Sequence, residues 1–225
     1  MQKAEVCNMG LKSLKKEPSL AEKAYTAIKE AIISNELTPG TALAEETLAA
    51  HLGISRTPIR TALQRLQLEG VVTSSGKKLI VAEVTGQDVR DIDAVRTQLE
   101  PLSIQLIAQN GGLTAKQLKM LQTCNDRLQA AAQQGDNLAF LEQDVTFHIT
   151  LAQLSGNGFL ADLVQRSNLM IQRFHTLTGT LARYAPTAAE EHTAILQALA
   201  EQDYPKAETA LRTHLEHVDS RILQN

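Results

Sequence analysis

Residues 142–151, EQDVTFHITL, set Asp144 and His148 one helical turn apart among Val145, Phe147, Ile149 and Leu151. At about 100° per residue, Phe140 and Leu151 fall on one side of the line joining the pair, and Leu141, Val145 and Ala152 on the other. An acid and an imidazole therefore occupy the middle of an apolar face. A carboxylate buried there alone costs several kcal/mol or takes up a proton, so it needs a partner, and a direct Asp–His hydrogen bond is one way to supply it. Two more histidines repeat the anomaly: His192 lies between Ala188, Ile195, Leu196 and Leu199, and His214 between Ala210, Leu211 and Val218. Three imidazoles and a carboxylate, carried on three helices, could converge inside a bundle as ligands of a divalent metal. A satisfied polar core explains the same pattern, and spacing alone leaves both open.

Arg96 belongs with this group, because Val89, Ile92, Ser103 and Ile107 flank it on the inner face of its helix. Its guanidinium could hold a second carboxylate of the ligand. The competing use is an i,i+4 ion pair with Glu100. Arg173 and His175 are further candidates for the effector pocket, whereas His51 and His217 read as surface residues.

The elements that would position these groups are helices. From Gln87 onward only helical periodicity is present, roughly over 88–109, 115–134, 137–155, 158–180, 187–202 and 205–223, with breaks at NGG, QQGD, SGNG, YAPT and the Asp203–Pro205 corner. The chain before it is different. EPSLAEKAYTAIKEAIIS predicts a helix capped by Ser19 and ended at LTPG; AEETLAAHLG predicts a short second helix, and RTPIRTALQRLQLEG a third. VVTSSGKKLIVAEV then predicts a hairpin around Ser74-Ser75-Gly76. Helix, helix, tight turn, helix and hairpin is the order of a winged helix-turn-helix.

On that third helix Ile59, Ala62, Leu63 and Leu66 form an apolar arc, while Arg56, Arg60 and Gln64 follow at i, i+4 and i+8 on the neighbouring face. Arginine donates two hydrogen bonds to guanine O6 and N7, so a helix entering the major groove N-terminus first could read bases with Arg56 and Arg60. Ser55 can cap the helix, and its hydroxyl and that of Thr57 can bond phosphate beside the free N–H groups of the first turn. Gly76 lets the hairpin turn approach a backbone or minor groove, with Lys77 and Lys78 beside it. Residues 53–82 hold five basic side chains against the single acid Glu69, although the whole chain has a net charge of −3. A basic patch on an acidic chain fits a polyanion-binding module.

The chain's 225 residues suit two domains, and the 3% aromatic content leaves the cores to aliphatic side chains. Cys7 and Cys124 match no ligand spacing, which speaks against a disulfide framework and for a reducing cytoplasm. No signal peptide or run of about 18 apolar residues is present.

ELTPGTALAEETLAAHLGISRTPIRTALQRLQLEG with VVTSSGKKLIVAEV resembles the DNA-binding domain of the GntR family of bacterial transcription regulators. LEQDVTFHITLAQLSGN, EEHTAILQALAEQDYPKAETALRTHL and VRTQLEP resemble the FCD ligand-binding domain of its FadR branch. The two resemblances cover residues 20–223. They imply that Arg56 and Arg60 read bases, that Thr57 touches the backbone, that Gly76 sits at the wing tip, and that Asp144, His148, His192 and His214 bind a divalent metal. The donor set suits zinc, nickel, iron or manganese. Glu46 stands where some members have a DNA-contacting arginine, and Lys77-Lys78-Leu79 replaces the usual Arg-Gly of the wing, so operator sequence does not transfer.

The expectation is a mainly α protein: a flexible 1–17, a winged helix-turn-helix over 18–84 and an all-helical metal-, effector-binding and dimerisation bundle over 85–225. It would act as a cytoplasmic homodimeric repressor on a palindromic DNA operator, controlled by a small carboxylate effector at the metal, and not as an enzyme. A metal-dependent hydrolase or lyase of small carboxylates is the alternative, but no nucleophile motif or HExxH base supports it.

Overall fold

The computed structural model describes residues 17–179 and 184–223. Cys7, residues 1–16 and the expected flexibility of the N-terminus lie outside that range, and Cys124 is a free, half-buried thiol.

Helix α1 runs Leu20–Ile33, α2 Glu45–Leu52 and α3 Arg56–Leu68. Ser19 caps α1 in a capping box: its hydroxyl accepts from Glu22 N–H and the Glu22 carboxylate accepts from Ser19 N–H. Gly53, at φ 65°, ends α2 in the left-handed conformation that side chains resist, and so makes the tight turn into α3. Ser55 stands at the N-cap of α3, but its side chain makes no cap hydrogen bond there. Strands β1 (Val72–Ser75) and β2 (Lys78–Val81) pair antiparallel, with Val72 opposite Val81. The turn is thus Gly76-Lys77, one residue further on than the sequence pattern placed it, and Ser74 and Ser75 belong to the strand. The other edge of β2 is covered by residues 40–43, whose Leu43 N–H donates to Leu79 O at 2.8 Å. That pairing is too short to leave a strand signature in the sequence. Ile28, Ile59, Leu63, Leu66 and Val81 close the core of this half.

The remaining helices are α4 (Gly86–Gln109), α5 (Ala115–Gln134), α6 (Asn137–Leu154), α7 (Gly158–Thr178), α8 (Ala185–Ala200) and α9 (Tyr204–Leu223). Each begins or ends within a few residues of the sequence expectation. Pro101 lies inside α4 and has no N–H to give the carbonyl of Thr97. Arg212 of α9 donates to that carbonyl at 3.0 Å, so the helix continues and gains a tie to its neighbour. Ile104, Leu121, Phe147, Leu151, Ile195 and Leu211 fill the centre of the bundle.

The two halves meet along α7. Its Leu169 is buried in the core of the first half, Arg166 donates to the carbonyl of Leu68, and Arg173 donates to that of Ala82 at 2.5 Å.

Candidate metal centre and nucleic-acid interface

Asp144 and His148 come from α6, His192 from α8 and His214 from α9, and one donor atom from each lies within 4.8 Å of the others. Donors bound about 2.0–2.2 Å from one ion stand at most about 4.4 Å apart, so closure by a few tenths of an ångström would complete a site. The histidines are 0–1% exposed, held by rings that pack edge-to-face or stacked at centroid distances of 4.6–5.3 Å. Asp144 and His148 do not satisfy each other in the manner the sequence allowed. Asp144 Oδ1 instead lies 3.1 Å from His192 Nε2, while His148 Nδ1 is 2.5 Å from Glu100 Oε2.

Two carboxylates hold the outer edges of these rings. Glu100 accepts from His148 Nδ1, and Glu191 Oε2 lies 2.8 Å from His214 Nδ1. A carboxylate accepts only, so each of these rings donates from Nδ1, and His214, whose burial disfavours the charged form, keeps a lone pair on Nε2. His148 Nε2 is buried without a hydrogen-bond partner. His192 Nε2 and His214 Nε2 are only 3.3 Å apart. A buried imidazole nitrogen without a partner beside a buried carboxylate is an arrangement a cation relieves, and this donor set fits a divalent transition metal. No particular ion is specified by these four side chains.

Electrostatics agree. Burial alone would raise the Asp144 carboxyl, but its bond to His192 and the surrounding imidazoles hold it well below the usual carboxylate range. Burial pushes His192 down and brings His214 to about 4, against the pull of Glu191 on the latter. His192 and His214 are thus held toward the neutral form beside an ionised acid, the protonation states that bind metal.

Beside the centre is a small cavity walled by Asp144, His214, Arg96 and His175. Its remaining surface is largely apolar, from Phe140, Ile171, Ala188 and Val218, with Tyr184 at one side. Arg96 lines it, and the guanidinium is already committed: Nε donates to Glu100 at 2.6 Å, Nη1 to Asp93 at 3.1 Å and Nη2 to Asn168 Oδ1 at 3.1 Å. Arg173 must be reassigned. It is absent from the cavity wall and turns to the carbonyl of Ala82, because it lies two residues, about 200°, from His175 around α7. Sequence reasoning missed Glu191 and saw Glu100 only as a partner for Arg96. The usable signal for Glu100 was its place four residues from Arg96 on the same apolar-flanked face.

In the first half, Ser55, Arg56, Thr57, Arg60 and Gln64 are all exposed on α3, opposite the buried Ile59, Ala62, Leu63 and Leu66. Exposed Gly76, at φ 60°, and Lys77 form the hairpin tip. Arg56 and Arg60 are both paired with acids of α2. Arg60 donates twice to Glu45, at 2.8 Å each, and Arg56 Nη2 is 2.8 Å from Glu46.

Such a fold, a winged helix with an exposed basic helix face joined to a helical bundle enclosing a polar centre, is that of a DNA-binding regulator with a second, helical domain. Residues 20–79 match the family described as bacterial regulatory proteins, gntR family, and residues 91–217 match the FCD domain. The chain belongs to the GntR family of transcriptional regulators and carries an FCD domain. A regulator in an unstable DNA locus of Streptomyces ambofaciens is 31% identical over 86% of this chain and 81% of its own length. The transcriptional repressor NanR of Klebsiella aerogenes is 26% identical over 92% of this chain and 88% of its own length. The solved structure of Escherichia coli McbR/YncC shares the fold, with a TM-score of 0.79 and 24% identity over 92% of this chain and 98% of that one. Among the described residues no helix is long and apolar enough to cross a membrane.

Proposed function

We propose that this chain is a homodimeric repressor that binds a palindromic operator through α3 and the β1–β2 turn, and releases it when a small carboxylate binds beside a metal in the helical half. Residues 18–84 are the DNA-binding domain and 85–225 the sensing and dimerisation domain. Arg56 and Arg60 read bases, Gln64 adjoins them, and Ser55, Thr57, Gly76 and Lys77 contact backbone or groove. Asp144, His148, His192 and His214 hold the metal, which supplies a Lewis-acidic position for the effector's carboxylate. A relative named a repressor supports the sign of regulation.

Helix α7 carries the regulated part of this reading. Ile171 and His175, one turn apart, face the cavity, while Leu169 and Arg173, one turn apart on the opposite side, grip the winged helix. A ligand that prefers one placement of α7 shifts the winged-helix domains by that preference, which is linkage between two sites.

The test is a titration of upstream DNA by metal-loaded protein at several salt concentrations. Specific, steeply salt-dependent binding that is lost in Arg56→Ala and Arg60→Ala is expected. No binding to any upstream sequence at low salt overturns the reading. Metal content measured on untagged protein, about one ion per chain and none in His192→Ala, tests the sensing half.

A further inference from the structure

A cleft separate from the metal centre runs between α1 of the winged helix and α6 and α7 of the bundle. It consists of two adjoining hollows of about 500 and 420 Å³, both within the roughly 300–1,000 Å³ of small-molecule sites. Glu30, Glu142 and Gln172 line both hollows, and neither shares a wall residue with the cavity beside the metal centre. Gln172 is only 6% exposed. Its side-chain amide has no hydrogen-bond partner among the described residues, although such an amide can donate two bonds and accept two. A polar group buried to that degree is ordinarily satisfied, so a partner for it belongs in the cleft.

The charge of the wall is one-sided. Glu30, Glu36 and Glu142 are exposed on it and form no ion pair with a described residue. Lys29 is the one Lys or Arg on the described wall, and it is already engaged: it donates to Tyr25 Oη at 3.0 Å and stands 3.7 Å from Glu69. Nor do the three acids suit a single small ion. Among the described residues, the only set of three or more acid, imidazole or thiol donors close enough to share one is Asp144, His148, His192 and His214. Negative charges spaced along a cleft are matched by a molecule whose positive charges are spaced as well. Ile33, Leu138, Val145 and Ile149 give that molecule apolar wall. An ammonium group donates up to three hydrogen bonds and accepts none, which suits both carboxylates and the carbonyl end of the Gln172 amide.

We infer that this cleft binds a linear aliphatic polyamine, with its ammonium groups on Glu30, Glu36 and Glu142 and one N–H on Gln172. Because the walls come from both halves of the chain, occupancy favours the placement in which α1 lies against α6 and α7, an input separate from the metal centre.

The experiment is calorimetric titration of the full-length protein at low ionic strength with spermidine, with butylamine and with magnesium chloride. Spermidine is expected to bind once per chain and at least tenfold tighter than butylamine, which carries an aliphatic chain but one charge. Gln172→Leu and Glu30→Gln should each weaken spermidine at least threefold. Glu30 is exposed, so its variant tests the site even where Gln172→Leu disturbs the packing. Glu216→Gln removes an exposed acid of α9 outside the cleft and should leave the affinity unchanged. Equal weakening by Glu216→Gln would assign the binding to the chain's overall charge of −3 and overturns the site. Magnesium that displaces spermidine at matched ionic strength overturns the amine class. An absence of saturable spermidine binding overturns the inference outright and leaves the operator and metal readings standing.

Discussion

Arg60 and Arg96 make nearly the same contacts in opposite surroundings. Arg60 gives two hydrogen bonds to Glu45 on the surface of the winged helix, with 63% of its side chain exposed. Arg96 gives one bond each to Glu100 and Asp93 with 2% exposed. Water screens the first pair, so an incoming anion could take the guanidinium at little cost. The second cannot be traded, because any ligand that drew Arg96 away would leave carboxylates buried and unpaired. A surface ion pair is thus exchangeable, whereas a buried one is part of the frame.

Breaking the frame should have the largest effect. Glu100→Ala leaves Arg96 with a single carboxylate and His148 without its Nδ1 acceptor, and should cost about 3–5 kcal/mol of stability. Urea unfolding of metal-free protein measures this, and a loss below 1 kcal/mol would show that the cluster relaxes freely. Arg60→Ala, by contrast, should leave the urea midpoint where it is while operator affinity falls roughly tenfold or more, as fluorescence anisotropy would record. If the midpoint shifts as well, Arg60 belongs to the frame and the contrast collapses.

Acid should separate the two regions again. His175 and His214 have pKa values brought to about 4 in the fold, from an ordinary 6.5, burial being the main cause in both. The unfolded chain therefore binds more protons between those limits, so their contribution is whole above about pH 6.5 and is lost as pH falls toward 4. The melting temperature of chelator-treated protein should drop through that window. His175→Gln should reduce the drop, and an equal drop in the variant would remove His175 from the account. The smallest effect belongs to Glu46→Gln, which frees Arg56 from an exposed partner and removes a negative charge from the groove-facing side. DNA affinity should rise by a few-fold at most, and a fall would mean that Glu46 itself accepts a hydrogen bond from the operator.

What was legible in the sequence follows the same division. Asp144, His148, His192 and His214 stood out because each interrupts an apolar arc, and Arg56 and Arg60 because they lie beside one. The helices were legible from periodicity and caps. Glu191 was not, since it sits in Glu190-Glu191-His192 with an equally acidic neighbour, and only the approach of α9 decides which carboxylate meets His214. The pairs of Glu45 and Glu46 with Arg60 and Arg56 depend on how α2 crosses α3, which has no signature in either helix alone. Arg173 misled because nearness to His175 in sequence puts it on the far side of α7.

Leu169 has a further consequence for folding. It is a residue of the bundle that completes the hydrophobic core around Ile28, Leu63 and Leu66. A fragment ending near residue 84 would fold around a missing side chain, and a bundle made alone would expose one. The two halves should therefore melt as one cooperative unit, and the independence suggested by two separate family matches would hold for their ancestry but not for their thermodynamics.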